Sequence, residues 1–283
     1  MQNVLLVLVT DCGGSDQGRY EIAAGLCFAG CNVSRAFFAT GSMNPLHSGF
    51  TGAAHALSTV AHFSGVRGDT KVGILINAAP RHGTENGHKL RGNRRKASGE
   101  EIYALELRDG TWVVGPNAGL NLYFVQNQVV KSFLVRDSLR PDTPFRSMEV
   151  MVPALAKVLG IQDFPNITLT SRVLRVSEPD PGVYVVDWDD HGNIYLWSTG
   201  KDDEFVPALG RARVFKIGDK IARLRHVSGI FAGKTGEQTI TQGSLKLADR
   251  PIYYIVVVGG SAHNLFGSPR VGTRVERVEV EDW

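Results

Sequence analysis

The first half of the chain alternates apolar runs with segments of helical periodicity. Apolar runs at residues 4–9 and 71–76 predict buried strands, and helical patterns follow or precede them at residues 20–29 and 52–63. Asp109-Gly110 is a strong turn signal and predicts a hairpin between the runs on either side of it. A further strand is predicted at residues 129–135, and a helix at residues 148–159. Strands alternating with helices are typical of a parallel sheet.

The second half lacks helical periodicity beyond about residue 165. Short β-rich runs separated by Gly, Asp and Pro are typical of a sandwich or small barrel. We therefore predict an α/β N-terminal domain with a mainly parallel sheet (residues 1–165), followed by a smaller all-β barrel-like C-terminal domain (residues 173–283). The turn-rich segment 161–172 is the predicted boundary.

Composition and charge exclude several classes of partner. The formal net charge is only +3, and the one dense basic run, residues 88–96, has no aromatic-rich basic face beside it. We expect a solvated loop there and no nucleic acid partner. No apolar run approaches membrane-spanning length, so we expect no membrane partner.

The three cysteines, Cys12, Cys27 and Cys31, all lie near the N-terminus. Their odd number argues against a secreted disulfide framework and favours a reducing, cytoplasmic compartment. Cys27 and Cys31 have helical spacing, but no nearby His or Cys pair completes four ligands. We therefore expect both to be buried small apolar side chains, and we expect no metal.

Polar segments follow several of the predicted strands. Asp11 and Asp16 form a carboxylate pair after the first strand, suited either to ribose hydroxyls or an ammonium group, or to capping loop N–H groups. His82 follows the strand at 71–76 and is a candidate general base, or an exposed loop residue. Asn117 lies in a Gly-rich turn, and Ser147 precedes a helix, where an N-cap is the simplest role.

Taken in order, these segments resemble the adenosylmethionine hydrolase and halogenase family. Asp11 and Asp16 match its opening T-D-F-G-x-x-D loop, and Gly115 to Leu120 resembles G-P-D/N-N-G-L. The matches also include residues 79–84, the stretch from Phe145 to Ala154 with Arg146 and Ser147, the turn from Asp189 to Asn193, and Arg250 before a β-run.

The resemblance implies a homotrimer that binds S-adenosyl-L-methionine as a small-molecule substrate, with no other cofactor. Its site would lie between the first domain of one subunit and the second domain of its neighbour. The reaction would be nucleophilic displacement at C5′, releasing methionine and adenosine or a 5′-substituted adenosine. Ser147, His82 and Arg146 would be the catalytic residues, and six others would bind substrate: Asp11, Asp16, Asn117, Asp189, Asn193 and Arg250.

Two departures weaken the hydrolytic part of this expectation. Ala79 stands where the hydrolases have an Asp, and Arg146 stands where they have a His. The alternative is therefore a catalytically inactive homo-oligomer of the same fold that binds adenosylmethionine or a nucleoside, or has a structural role.

Overall fold

The computed structural model describes residues 4–10, 16–32, 36–40, 46–47, 49–54, 70–78, 101–139, 146–199, 205–248 and 250–279. The chain divides into two compact units, and the division that lies within the described residues falls between Glu178 and Pro179. The strand at residues 167–171, inside the predicted boundary segment, pairs within the first unit. No helix in these ranges is long and apolar enough to cross a membrane.

The first unit contains a seven-stranded sheet. Its strands are β1 (Val4–Thr10), β2 (Ala36–Thr40), β3 (Lys71–Asn77), β4 (Ile102–Leu107), β5 (Trp112–Pro116), β6 (Val129–Asp137) and β7 (Ile167–Ser171), in the order β2-β1-β3-β5-β4-β6-β7. Its helices are α1 (Asp16–Phe28), α2 (residues 46–47 and 49–54) and α3 (Val152–Val158), with a 3₁₀ segment at Tyr123–Gln128. Apolar residues of β1, α1 and α3 share its core, among them Leu6, Leu26 and Leu155.

The second unit is a barrel of seven strands. These are β8 (Val183–Trp188), β9 (Ile194–Ser198), β10 (Ala212–Ile217), β11 (Lys220–His226), β12 (Gln238–Leu247), β13 (Arg250–Val257) and β14 (Arg274–Val278), and a short helix, α4 (Ala262–Leu265), follows β13. The closed order is β10-β11-β12-β13-β9-β8-β14, with a single parallel pairing, β11 with β12. The interior is filled by side chains such as Leu196, Phe215 and Ile255.

The predicted fold class is wrong. The described chain is mostly β, and both sheets are mixed. In the first sheet β1–β2, β1–β3 and β3–β5 are parallel, whereas β4–β5, β4–β6 and β6–β7 are antiparallel. The second sheet also has seven strands, so it is not smaller in strand number. Buried strands of either direction can be continuous apolar runs, so the hydrophobic pattern did not reveal the direction of β4.

The predicted hairpin is confirmed, and it explains where the sheet changes direction. The Asp109 carboxylate accepts a hydrogen bond from the Thr111 N–H at 2.8 Å, and Gly110 has a φ of +78° that favours glycine. This turn reverses the chain between β4 and β5, so β4 runs antiparallel to the four parallel strands β2, β1, β3 and β5. Strand β6, antiparallel to β4, then runs in the same direction as β1, β3 and β5.

Candidate functional site

The strands that share a direction in the first sheet end at the same edge. Thr10 is level with Thr40 on one side and Asn77 on the other. Leu75 is level with Val114, and continuing that register by two residues brings Asn77 level with Pro116. Pro116 pairs with Ile102, which pairs with Val135 near the end of β6. The loops after β1, β2, β3, β5 and β6 therefore leave the sheet from one edge, here called the carboxyl edge.

The carboxyl edge contains a topological switch point. Strand β2 lies on one side of β1, and the next strand in the chain, β3, lies on the other. The chain that leaves β1 goes to β2 on one side, whereas the chain that leaves β3 goes to β4 and β5 on the other. The connections after β1 and β3 therefore diverge. Open sheets with helices bind ligands at such points.

For three of the predicted site residues that follow these strands, the structure describes little or nothing. Asp11 and His82 lie outside the described residues. Asp16 is the first residue of α1, so its backbone is placed directly after the β1 loop, but its side chain is also outside the description. Their roles remain predictions.

Asn117 is the first residue after β5. Its side-chain Nδ2 donates to the Arg175 carbonyl at 2.7 Å, and its backbone N–H donates to the Glu101 carbonyl at 2.8 Å. The Arg172 guanidinium pairs with the Glu101 carboxylate at 2.9 Å, which holds the same segment to the sheet. The amide of Asn117 therefore fixes the chain that leaves β7, and its role in binding substrate remains a prediction.

Asn121 is the residue of this turn that sequence analysis missed. It is only 1% exposed, and its Nδ2 donates to the Ala78 carbonyl at 2.6 Å and lies 3.5 Å from the Pro116 carbonyl. Its Oδ1 is buried and has no hydrogen-bond partner among the described residues. Because both neighbours of Nδ2 are carbonyl oxygens, the amide orientation is fixed and Oδ1 is the unmatched acceptor. The visible signal was its place at the end of a Gly-rich turn.

Helix α2 packs directly on this turn. A Cβ atom added to Gly49 would overlap the Leu120 carbonyl oxygen, and one added to Gly52 would lie 2.8 Å from Ile76 Cδ1. Thr51, on the same helix, is 8% exposed, and its hydroxyl is also buried without a partner. Two unmatched polar side chains thus lie on segments that pack around the ends of β3 and β5.

Arg146 and Ser147 begin a π-helical turn, Ser147–Met151, that leads into α3. Arg146 has helical backbone angles, and the turn has no side-chain cap. The N-cap expected for Ser147 is therefore wrong, since Ser147 is already the first residue of the helical turn and Arg146 holds the N-cap position. Isolated π turns in helices occur frequently at functional sites. The catalytic roles of Arg146 and Ser147 remain predictions.

The two described cysteines differ in environment. Cys31 is buried, and this burial, with the nearby Cys27 adding to it, raises the pKa of its thiol to about 11. Cys27 is exposed, so the expectation that it is buried is wrong. Its position at the last turn of α1 places it on the outer helix face. Across the described residues, no group of three or more His, Cys, Asp and Glu side chains could hold a metal ion.

In the second unit, Asp189 and Asn193 lie together in the turn between β8 and β9. The Asp189 carboxylate accepts from the backbone N–H groups of His191 (3.0 Å) and Asn193 (2.9 Å), from Asn193 Nδ2 (2.9 Å), and from the Tyr195 hydroxyl (3.1 Å). Burial opposes the charge of Asp189, but these donors outweigh it and leave its pKa lowered. The two residues bind each other and shape the turn.

Aromatic rings flank this turn. The Tyr195 ring lies against the Tyr254 ring with centroids 4.6 Å apart, and Trp188 stacks on His263 at the same distance. Burial, with the Asp189 charge adding to it, raises the pKa of Tyr195, so its hydroxyl stays protonated and can donate. Trp188 is 39% exposed, so this ring stack is partly accessible to solvent.

Arg250 is far from Asp189 and Asn193 along the barrel wall. It begins β13, whereas Ile255, five residues further on, pairs with Ile194 beside Asn193. At roughly 3.3 Å per residue this separates Arg250 from the turn by about 17 Å. The second unit therefore brings two of its three predicted binding residues together and leaves the third apart.

Comparisons with known proteins identify the fold and nothing further. No family model and no curated protein matches the chain. It is similar to a solved structure described as an uncharacterized conserved protein from Thermotoga maritima, with 14% sequence identity and a TM-score of 0.62. The match covers 97% of this chain and 100% of that one. At this identity the likeness shows a shared fold alone.

Proposed function

We propose that the protein binds S-adenosyl-L-methionine at the carboxyl edge of its first sheet and cleaves it by displacement at C5′. The observation that supports this proposal best is the common edge from which the loops after β1, β3, β5 and β6 leave. Predicted binding or catalytic residues follow each of these strands, and the switch point between β1 and β3 is a typical ligand position.

The proposed reaction needs a positioned nucleophile more than a strong acid. Attack on C5′ forms a C5′–O bond and breaks the C5′–S bond, whose electron pair leaves with neutral methionine sulfur. A water nucleophile must also lose a proton, which His82 would accept, whereas a halide ion needs no base. Ser147 would donate a hydrogen bond to the nucleophile, and Arg146 would lie near it. Asp11 and Asp16 would hold the ribose or methionine part.

A second candidate is binding without turnover, and two substitutions favour it. Ala79 and Arg146 replace the Asp and His of the hydrolases that the chain resembles. A nearby base contributes about 100- to 10,000-fold to such a proton transfer. Loss of that base would leave binding intact and make hydrolysis slow.

Incubation of the purified protein with adenosylmethionine, followed by chromatography, tests these candidates. Adenosine with equimolar methionine supports hydrolysis, and a 5′-halogenated adenosine formed with chloride or fluoride supports a halide nucleophile. Heat-denatured protein controls for spontaneous decay of the substrate, and Ser147→Ala should lower turnover. Heat release on titration without any product supports silent binding. Absence of both binding and product contradicts both candidates.

The same proposal includes a homotrimer acting on a small molecule in the cytoplasm. Light scattering coupled to size-exclusion chromatography should then give about three times the chain mass of 30.8 kDa. A monomer would contradict both the trimer and the expected contribution of a neighbouring subunit to the site.

A further inference from the structure

We infer that Asn121 is a ligand-contacting residue of the carboxyl edge, and that its Oδ1 accepts a hydrogen bond from an N–H or O–H group of the bound molecule. This inference rests on the proposed function, which supplies the ligand. To the proposed function it adds one binding residue and the requirement that the ligand donates a hydrogen bond to it.

The amide of Asn121 is held in one orientation. Nδ2 lies 2.6 Å from the Ala78 carbonyl and 3.5 Å from the Pro116 carbonyl, and both can only accept. Rotating the amide by half a turn would place Oδ1 against these oxygens. Oδ1 is therefore held as an acceptor, on the same carbon as Nδ2 and so beside the end of β3.

Leaving that buried acceptor without a hydrogen bond costs free energy. Buried polar atoms in native proteins nearly always have a partner, and each exception calls for an explanation. Asn121 is only 1% exposed, and within the described part of the chain its Oδ1 has no partner. It lies where the β3 end meets the turn after β5, and β3 is one of the two strands at the switch point. A ligand donor that reaches this point of the carboxyl edge would satisfy it.

Only a ligand group that carries a proton can pair with Oδ1. A carboxylate or a halide ion carries no proton to donate, so neither pairs with Oδ1. Adenosylmethionine offers three donors: the ribose hydroxyls, the adenine amino group and the ammonium of the methionine part. Adenosine carries the first two and methionine carries the third, so the fragments separate these sources.

Calorimetric titration of adenosylmethionine into the wild type, Asn121→Ala and Asn121→Asp tests the inference. Asn121→Ala removes both the tether to Ala78 and the acceptor, and should weaken binding about 10- to 100-fold. Asn121→Asp also loses the tether but keeps an acceptor, so it should bind clearly more tightly than Asn121→Ala. Titration with adenosine and with methionine then shows which fragment is weakened by Asn121→Ala.

Thr111→Val is the matched control. Thr111 is fully buried with an unmatched hydroxyl, but it precedes β5 at the opposite edge of the same sheet. It should bind as the wild type does. Should Asn121→Ala not fold, Asn121→Ser replaces it, since its hydroxyl is too short to reach the same point.

The outcomes separate the inference from the proposed function. Equal binding by wild type and Asn121→Ala overturns the inference and leaves the function standing. Equally weak binding by Asn121→Ala and Asn121→Asp assigns the effect to the tether and also overturns it. A wild type that binds neither adenosylmethionine nor its fragments overturns both.

Discussion

The turns that contain Asn121 and Asp189 differ in how completely their central polar side chain is hydrogen-bonded. Each turn follows a strand, and each is held by one polar side chain. In the second unit, all four donors around Asp189 come from its own turn and the strand that follows it. In the first unit, the Asn121 amide donates to carbonyls but leaves its own oxygen unmatched. A turn rich in polar residues can thus supply all the partners of its own carboxylate without a ligand, as around Asp189.

The largest expected effect comes from filling the contact between α2 and the Asn121 turn. A Cβ atom at Gly49 would overlap the Leu120 carbonyl oxygen, so Gly49→Ala must displace α2 or the turn. We expect the free energy of unfolding to fall by about 2 to 3 kcal/mol, as in other overpacked sites. Urea unfolding followed by circular dichroism measures it. Gly229→Ala is the control, since an added Cβ meets nothing within 4 Å there. Equal stability of both variants would refute the contact.

The next effect is the loss of the Asp189 carboxylate. Asp189→Ala leaves two backbone N–H groups, the Asn193 amide and the Tyr195 hydroxyl without their acceptor. We expect a destabilisation of about 2 kcal/mol by urea unfolding, because bonds to a charged acceptor are stronger than neutral ones.

Asp190→Ala is the control for that variant, because it removes the same charge from the next, exposed residue. It should change the free energy of unfolding by less than about 0.5 kcal/mol. Similar losses for the two variants would mean that charge, and not the bonds within the turn, stabilises this hairpin.

A smaller effect with the opposite sign is expected where an unmatched hydroxyl is removed. Thr111 and Thr239 are both fully buried, but only Thr239 has a hydroxyl partner, the Val256 carbonyl at 3.3 Å. Thr111→Val should raise the free energy of unfolding by about 1 kcal/mol, and Thr239→Val should lower it by a similar amount. Thermal unfolding of the two variants measures the contrast. Destabilisation by Thr111→Val would mean that its hydroxyl is matched in solution.

Sequence patterns located the strands and the hairpin but not the fold class. Apolar runs at residues 4–9 and 71–76 and the Asp109-Gly110 turn appear in the structure as β1, β3 and the β4–β5 hairpin. Strand direction depends on pairings such as β6 with β4, which join residues distant in the chain. The pattern of residues 148–159 also did not distinguish the π turn from the α-helix that follows it.

For the candidate site, the sequence indicates which strands are followed by polar residues, but not which atoms there lack a partner. The expectation that polar residues after strands gather at one edge follows from the direction of the strands, and β6 shares that direction although it is not part of a parallel pair. Whether an amide atom is matched depends on tertiary contacts. Asn121 reaches Ala78 across 43 residues of sequence, and no local pattern reveals that its oxygen is left over.

The smallest expected effect concerns Glu237, a second carboxylate of the barrel whose hydrogen-bond donors all come from the second unit. Glu237 accepts from the Arg225 guanidinium at 2.5 and 2.9 Å and from the Lys234 N–H at 2.8 Å, and the Arg225 bonds lower its pKa from 4.5 to about 2. A carboxyl whose pKa is lower in the folded state stabilises above its unfolded pKa, and this contribution is lost as the pH falls. Between pH 4.5 and 2, the urea midpoint of Glu237→Gln should therefore depend less steeply on pH than that of the wild type.

Arg225→Ala should flatten the profile in the same way, and the double variant should add nothing further. Parallel profiles for wild type and Glu237→Gln would show that this pair does not contribute to stability in solution.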